Sequence, residues 1–443
     1  MHCVAQLSAP WREPAEVLSA FAGEPWAVGL VSGGARWSYL ARDPEATLIL
    51  RAVDARDPFD ALAVLLGPAA PAAEDGPPFQ GGVVGLAAYE LADRVESLGL
   101  PRQDAWPDLA AARYLAILAF DHQARMVVAV GRGSDLQQAE ARANAALAWL
   151  DAAPVAPRQE VLAGPLQPSD PDAYEAAVAQ VVDRIRAGEI FQANIARAWT
   201  GALAPGAQPF DLFARLLAQS AAPFAAYLRL PGLALVSNSP ERFLKVREGQ
   251  VETQPIKGTR PRGGDPAADA ALAAELLASD KDRAENLMIV DLMRNDLARV
   301  CAAGSVRVPS LWALESFANV HHLVSTVTGR LAEGQGALDL LRAAFPPGSI
   351  TGAPKVQAMK VIAALETPRG PYCGSLFWAG FDGALDSSVL IRTAACTETA
   401  GGWAVEARAG AGIVEASEPV AERLETEAKI AALVRALTQE PCP

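Results

Sequence analysis

Cysteine is scarce in this sequence, and the few cysteines form no pattern. Five cysteines are scattered along 443 residues, and none of them makes a Cys-x-x-Cys pair. An odd and scattered set argues against a disulfide framework and against a zinc knuckle. Stability is therefore expected from a hydrophobic core, which a chain of this length with 51% apolar residues can build.

Positive charge is also in short supply, and long apolar runs are missing. Lys and Arg number 38 against 51 Asp and Glu, which leaves a net charge of -13. An acidic protein is repelled by polyanions, so no nucleic-acid partner and no anionic membrane surface are expected. No apolar run approaches the roughly 18 residues of a membrane helix, and the first residues lack a Lys-led signal peptide. These absences predict a cytoplasmic protein.

The order of the predicted elements favours an α+β fold. Residues 1–150 alternate between strand and helix patterns, and residues 151–170 hold four prolines and are predicted to form a linker. Residues 171–437 open with a helix signal, in which Asp170 is a suitable cap and Pro171 suits the first turn. Strand runs followed by helices, without regular βαβ alternation, indicate antiparallel sheet.

Several predicted elements carry the residues on which the functional interpretation depends. They are a strand at residues 190–200, a meander of three strands at 224–257, and a hairpin across a Gly-Gly pair at 389–409. Two helices are predicted at 281–300 and 419–437.

The two helices each present a pair of carboxylates. Asp282 and Glu285 lie three residues apart, and Glu422 and Glu425 repeat this spacing, so each pair shares one helix face. Oxygen donors without His or Cys suit Mg²⁺. Acidic pairs on helices are more often simply solvated, and the spacing alone leaves both readings open.

Several longer motifs occur in order and resemble the chorismate-utilising enzymes. The matching segments are Ser-Pro-Glu-Arg-Phe at 239–243, Pro-Ile-Lys-Gly-Thr-Arg at 255–260, Asp-Leu-Met-Arg-Asn-Asp at 291–296, and the Pro- and Gly-rich stretch at 345–355. The resemblance spans essentially the whole chain and is strongest over 170–437. It implies two large antiparallel β-sheets packed as a sandwich, with helices on the outside and the active site in a cleft.

The resemblance assigns metal and acid roles to particular carboxylates. It implies that Glu285 and Glu425 bind Mg²⁺ directly and that Asp282 and Glu422 act through water. It also implies that Glu241 protonates the leaving 4-hydroxyl of chorismate as a general acid. A carboxyl that is protonated near pH 7 needs a raised pKa, through burial or a neighbouring carboxylate.

Lys257 and Gln192 indicate which branch of the family the chain is similar to. Anthranilate-forming members usually carry Ala at the position of Lys257, whereas the branch that aminates chorismate at C4 carries Lys. There the resemblance implies a nucleophile that forms a covalent adduct at C2 before ammonia attacks C4. Isochorismate-forming members carry Lys, as the base that activates water, at the position of Gln192. Gln cannot act as a base, so hydroxylation at C2 is disfavoured.

The remaining site residues are expected to bind chorismate. Gly410-Ala411-Gly412 resembles a family turn whose amides bind a carboxylate, and glycine permits close approach. The resemblance assigns the enolpyruvyl carboxylate to an Arg and a Tyr, the ring carboxylate to a Lys, a place beside the substrate to a His, and supporting hydroxyls to a Ser and a Thr: Arg392, Tyr372, Lys429, His322, Ser349 and Thr351. Thr259 is also expected to bind the substrate.

The resemblance also implies a partner and leaves alternatives open. No segment resembles a class I glutaminase, so ammonia derived from glutamine would require a separate glutaminase subunit. The alternatives are an anthranilate synthase component and a non-catalytic regulatory subunit. Residues 1–150 match a region that binds tryptophan in several members, and the sequence leaves open whether this chain keeps such a pocket.

Overall fold

The computed structural model describes residues 3–316 and 320–438. Its strands are β1 Cys3–Pro10, β2 Val28–Leu30, β3 Trp37–Ala41, β4 Ala46–Leu50, β5 Gly82–Ala87, β6 Leu109–Tyr114, β7 Ala116–Asp121, β8 Met126–Gly133, β9 Gln167–Pro168, β10 Gln192–Ala202, β11 Phe224–Leu230, β12 Leu233–Ser239, β13 Arg242–Arg247, β14 Gln250–Thr253, β15 Ile256–Pro261, β16 Arg307–Ser316, β17 Val320–Arg330, β18 Gly352–Ala353, β19 Ser375–Gly380, β20 Leu385–Val389, β21 Thr393–Thr399 and β22 Gly402–Ile413.

The helices are α1 Pro14–Ser19, α2 Pro58–Leu66, α3 Asp93–Glu96, α4 Leu136–Leu147, α5 Pro171–Arg186, α6 Pro209–Ser220, α7 Pro266–Ala278, α8 Asp280–Ala298, α9 Ala337–Ala344, α10 Lys355–Leu365 and α11 Pro419–Thr438. Short 3₁₀ turns add Tyr89–Ala92, Ala148–Asp151 and Gly348–Ile350.

Two antiparallel sheets contain these strands. The larger sheet runs in the order β1-β8-β7-β3-β2-β11-β12-β21-β22-β10-β18, with β9 also paired to β10. The smaller sheet runs β15-β17-β14-β13-β20-β19-β5-β6-β4, with β16 also paired to β17. Both sheets combine strands from before and after residues 151–170, because β2 pairs with β11 and β5 pairs with β19. That segment is largely exposed and contributes only β9.

The core confirms the predicted sandwich. Side chains such as Tyr39, Leu86 and Leu235 form one buried apolar cluster between the inner faces of the two sheets. On the outer faces, Phe213 of α6 packs in a cluster over the larger sheet, and Met293 of α8 packs over the smaller one. An α+β sandwich with external helices results, because each sheet must cover both apolar faces.

The helices that carry functional residues begin and end close to where the sequence predicts. Asp170 caps α5 by accepting from the backbone of Asp172, and Gly188 follows the helix with a φ of +76°. Helices α8 and α11 and strand β10 also agree closely with their predicted ranges. Caps and apolar periodicity are local signals, so they survive in the folded chain.

The predicted three-strand meander over 224–257 is wrong. The segment forms β11 and β12 in the larger sheet, then β13, β14 and the start of β15 in the smaller sheet. The chain crosses between sheets at Pro240 and Glu241, and β15 pairs with β17 instead of lying beside β13. Alternation of apolar residues shows that strands exist but does not show that the chain changes sheets.

A second crossing corrects the predicted hairpin. Residues 385–389 form β20 of the smaller sheet, so the hairpin strand begins only at Thr393. Between them the chain returns to the larger sheet through Arg392, whose φ is +53°. The two crossings are adjacent, because Val389 donates a backbone hydrogen bond to Glu241 (3.1 Å) and Asn238 donates one to Arg392 (3.1 Å). Glu241 and Arg392 thereby meet at one place between the sheets.

Candidate active site

A cleft of about 1500 Å³ opens beside these crossings, between β15, β22, α8 and α11. It collects nearly all the residues that the sequence predicts for the site. The residues that line it are Glu241, Lys257, Thr259, Asp282, Glu285, His322, Ser349, Tyr372, Arg392, Gly410, Gly412, Glu422, Glu425 and Lys429. Gln192 is fully buried beneath the lining, and Ala411 points into an apolar cluster with α5 and α10.

Lys257 is held in the cleft by an ion pair and packs against Gly412, which has no side chain to displace it. Its Nζ donates to Oε2 of Glu285 at 3.1 Å, and both side chains are more than four-fifths buried. A Cβ placed on Gly412 would lie 2.6 Å from the Lys257 Nζ and would also overlap Nε2 of Gln192. Lys257 and Gln192 therefore share the space above Gly412.

The predicted Gly410-Ala411-Gly412 turn is instead part of strand β22. Gly412 pairs with Asn194 of β10, and Gly410 pairs with Ala196. The glycines are required because side-chain heads from β10 and β15 rest on the strand at these two positions. Pairing of β22 with β21 ends at Ala407, so the residues of β22 that follow Ala407 are not paired with β21.

Replacing Gly412 by Ala is expected to lower kcat about 10-fold or more while the melting temperature changes little. The new methyl group displaces the flexible ends of Lys257 and Gln192, and a misplaced reacting group slows the chemistry strongly. Steady-state kinetics and thermal unfolding measure the two effects. Gly401→Ala is the control, because a Cβ there meets nothing within 4 Å. An unchanged kcat in Gly412→Ala would contradict the placement of Lys257.

Glu241 has the electrostatics of an acid that holds its proton near neutral pH. Its carboxyl is buried, and burial raises its pKa to about 7. A hydrogen bond from Ser349 and the positive charges of Lys257 and Lys429 partly oppose this rise. The sequence requirement for a raised pKa is thus met by burial, without a neighbouring carboxylate.

His322 is neutral in this environment. Burial is the main cause that lowers its pKa to about 4, and the positive charge of Arg392 contributes. Its Nδ1 lies 2.9 Å from Oγ1 of Thr259 on the adjoining strand. The neighbouring His321 has both ring nitrogens bonded, to Ser316 at 2.8 Å and to Asp269 at 2.9 Å.

The carboxylates of α8 and α11 face each other across the cleft among lysines. Lys429 binds Glu425 at 2.6 Å and also donates to the Gly410 carbonyl at 2.9 Å. Burial is the largest single influence and would raise the Glu425 pKa, but the charge and hydrogen bond of Lys429, together with the charges of Lys257 and Lys281, lower it overall. Burial raises the pKa of Glu422, and repulsion from Glu425 and Glu285 adds to the rise although Ser417 donates to it at 2.6 Å.

The donor set fits a hard divalent cation, although no metal position is preformed. Within residues 3–316 and 320–438, no three His, Cys, Asp or Glu side chains are arranged to hold a metal. Glu285, Glu422 and Glu425 nevertheless supply only oxygen donors and act electrostatically on one another, while Asp282 pairs with Arg260 at 3.2 Å. Mg²⁺ keeps several waters and needs only one or two protein carboxylates, so these residues suit it.

The cleft also contains an unpaired cation. Arg392 forms no hydrogen bond or ion pair through its guanidinium within the described ranges, and burial lowers its pKa. Tyr372 lies close to it, since the two side chains interact electrostatically. A guanidinium binds carboxylates through two parallel hydrogen bonds. This part of the cleft is therefore built to receive an anionic group.

Lys281 and Asn194 are among the cleft residues that the sequence does not predict. Lys281 lies 3.9 Å from Glu285 and 4.0 Å from Glu422, and no motif indicates it. Asn194 lines the cleft from β10. The second residue had a usable signal, because it follows Gln192 by two positions and residues two apart on a strand share a face.

A second cavity of about 480 Å³ lies beside the first, between the N-terminal segment and the smaller sheet. Ser32, Trp37 and Tyr39 line it, and Pro240 and Ile256 border both cavities. It falls in the N-terminal region for which the resemblance leaves open whether a tryptophan pocket is present. Among the helices of the described residues, none is long and apolar enough to cross a membrane.

Comparison with known proteins gives the class to which this fold and cleft belong. The model of the chorismate binding enzyme family matches residues 27–435, and the chain belongs to that family of enzymes. Among its relatives, it is similar to aminodeoxychorismate synthase component 1 of Klebsiella aerogenes, with 41% identity over 96% of this chain and 97% of the relative.

Two further likenesses lie in a neighbouring branch. Anthranilate synthase component 1 of Thermus thermophilus is 40% identical over 92% of this chain and 88% of its own length. The crystal structure of anthranilate synthase component I from Streptococcus pneumoniae has a TM-score of 0.79 and 29% identity, and covers 92% of this chain and 94% of that chain. These likenesses confirm the family and its fold. Overall similarity is nearly equal for the aminating and the anthranilate-forming branches, so the site residues have to indicate the branch.

Proposed function

We propose that this protein converts chorismate and ammonia to 4-amino-4-deoxychorismate and water. The observation that carries the proposal is the position of Lys257, whose amine projects into the cleft above Gly412 beside Gln192. A lysine at this point supplies a nucleophile, and Gln192 supplies no base for activating water. The name of the Klebsiella aerogenes relative is consistent with this branch.

The chemistry divides into two displacements. The neutral amine of Lys257 attacks C2 of chorismate, both ring double bonds shift, and the C4–O bond breaks as Glu241 donates a proton to the leaving hydroxyl, releasing water. Ammonia then attacks C4, both double bonds shift back, and the lysine amine leaves from C2. Lys257 must lose a proton before it attacks, and Glu285 is the carboxylate in contact with it.

Substrate binding uses the positive charges that line the cleft. Chorismate carries two carboxylates, and we assign the enolpyruvyl carboxylate to Arg392 and Tyr372. The ring carboxylate lies toward Lys429 and the α8 and α11 carboxylates. Glu285 and Glu425 would hold Mg²⁺ directly, and the ion would supply positive charge that neutralises the ring carboxylate. Asp282 and Glu422 would hold the water molecules of the metal.

Glu285→Gln and Glu425→Gln are each expected to abolish Mg²⁺-dependent turnover. An amide keeps the size of the side chain but removes the negative charge that a hard cation requires. The rate of chorismate consumption is measured against Mg²⁺ concentration, with chelator as the zero point. Glu333→Gln is the control, since Glu333 is exposed and lies outside the cleft lining. Full activity in either cleft variant would remove the metal assignment.

We further propose that a separate glutaminase subunit supplies the ammonia. The support is the word component in the names of the relatives, together with the absence of a glutaminase-like motif in this sequence. Ammonium salts at mildly alkaline pH should replace that partner in a purified system, because they provide free ammonia directly.

The product decides between this function and its rivals. The purified chain is incubated with chorismate, Mg²⁺ and ammonium, and products are identified by chromatography and mass. We expect 4-amino-4-deoxychorismate, which an added lyase converts to 4-aminobenzoate. Anthranilate would move the chain to the other branch, and isochorismate would mean that water replaces ammonia. Unchanged chorismate in the presence of a glutaminase partner would favour a non-catalytic subunit.

A further inference from the structure

Asn194 is a buried polar side chain that faces the cleft without a partner. The residue is only 6% exposed, and its Oδ1 has no hydrogen-bond partner within the described residues. An unpaired buried amide costs stability, and such groups are uncommon in folded proteins. A molecule bound in the cleft would provide the missing partner.

The backbone holds this side chain in place. The Asn194 amide donates to the carbonyl of Thr351 at 2.9 Å, and its carbonyl accepts from Nη2 of Arg369 at 2.6 Å. On the same strand Ala193 and Ile195 pack into an apolar cluster on the other face. Alternation along β10 therefore directs Gln192 and Asn194 toward the cleft.

Asn194 lies at the Tyr372 end of the cleft. A Cβ built on Gly410 would be 2.6 Å from Oδ1 of Asn194 and 3.0 Å from the hydroxyl of Tyr372, so both groups border one small space. Arg369, which binds the Asn194 carbonyl, also lies over the Tyr372 ring at 5.8 Å. One buried arginine thus positions both residues relative to each other.

We propose that Asn194 is a specificity-determining residue whose carboxamide hydrogen-bonds the enolpyruvyl group of the substrate. The inference rests on the proposed function, which places that group at Tyr372 and Arg392. Rotation about the terminal bond exchanges the amide oxygen and nitrogen, so the NH₂ group can donate to a carboxylate or to the ether oxygen. With Arg392 and Tyr372 it forms a three-sided binding site for the side chain at C3.

Two substitutions test this role. Asn194→Leu replaces both polar atoms by methyl groups of similar size, and Asn194→Asp keeps the size but removes the donor. Chorismate affinity is measured by calorimetry with Mg²⁺ and without ammonia. We expect the dissociation constant to rise about 10-fold or more in both variants, which is typical for the loss of a hydrogen bond to a charged group. Asn144→Leu, on an exposed face of α4, is the matched control.

Two further readouts separate a binding role from a structural one. The inhibition constant of 4-hydroxybenzoate, which has a ring carboxylate but no enolpyruvyl group, should change less than about 3-fold in the same variants. The melting temperature of Asn194→Leu should equal or exceed that of the parent, because an unpaired amide is removed. Unchanged chorismate affinity, equal weakening of both ligands, or a large fall in melting temperature would each overturn the proposal.

These measurements remain informative if the proposed function fails. A parent protein that binds chorismate but forms anthranilate would refute the amination reaction, whereas the binding comparison would still test Asn194. Loss of chorismate affinity confined to the Asn194 variants would support the residue assignment in either case.

Discussion

Lys257→Ala is expected to lower kcat with ammonia by at least about 100-fold, or more than 2.7 kcal/mol in activation free energy. The substitution removes the only side chain that we assign as nucleophile. It also leaves Glu285 without its 3.1 Å partner, so the alanine variant by itself mixes two effects. Any remaining turnover should depend on direct attack by ammonia.

Lys257→Arg separates the two effects. Arginine keeps the positive charge beside Glu285, but its guanidinium stays protonated and is a poor nucleophile. We expect both variants to be similarly slow, while Lys360→Ala, exposed on α10, should match the parent. Intact mass spectrometry after incubation with chorismate alone should show an adduct of chorismate minus water in the parent only. Near-parent activity in Lys257→Arg would refute covalent catalysis.

Glu241→Gln is expected to lower kcat about 10²- to 10⁴-fold, which is the usual contribution of a general acid. An amide of the same size fits the buried position but has no acidic proton for the leaving hydroxyl. Glu252→Gln on β14, a half-buried carboxylate outside the cleft lining, is the control. A loss of less than about 3-fold in Glu241→Gln would exclude Glu241 as the acid.

The raised pKa of Glu241 also predicts a pH dependence. Because the protonated form is the active one, kcat/KM at constant free ammonia should fall as the pH rises above about 7. The folded-state pKa of Glu241 exceeds the ordinary value of 4.5. The protonated Glu241 carboxyl therefore contributes its full stability to the fold below pH 4.5, and this contribution is lost as the pH rises through about 7. In Glu241→Gln, the fall of kcat/KM with rising pH and this loss of stability, about 3 kcal/mol, should both disappear.

The sequence predicted much of the site because its motifs are contiguous. Ser-Pro-Glu, Pro-Ile-Lys-Gly-Thr and the two acidic helices brought their residues to one cleft, as the lining of that cleft shows. The predicted meander over 224–257 contains both Glu241 and Lys257, whereas in the structure Glu241 lies at a crossing between sheets and Lys257 lies on β15, which pairs with β17.

The predicted turn at the glycines was wrong for a physical reason of the same kind. Gly-x-Gly indicated a turn, but both glycines lie in strand β22, which pairs with β10, and glycine is needed there because other side chains rest against the strand. Neither Gln192 nor Lys257 is near Gly412 in sequence, so no local pattern reports their contact. The strand alternation from Gln192 could have placed Asn194 on the cleft face, but that its amide is unpaired is visible only when every neighbour is in place.

The sequence by itself determined the helices α5, α8 and α11 and the spacing of the carboxylates on α8 and α11. It also determined the residue types at positions 257 and 192, Lys257 and Gln192, which indicate the branch of the family. These depend on caps, periodicity and residue identity, which act within a few residues. Only the tertiary structure decided where the chain crosses between sheets, what rests on Gly410 and Gly412, and how far burial raises the Glu241 pKa. Pairing, packing and desolvation join residues far apart in the chain, and no short segment contains that information.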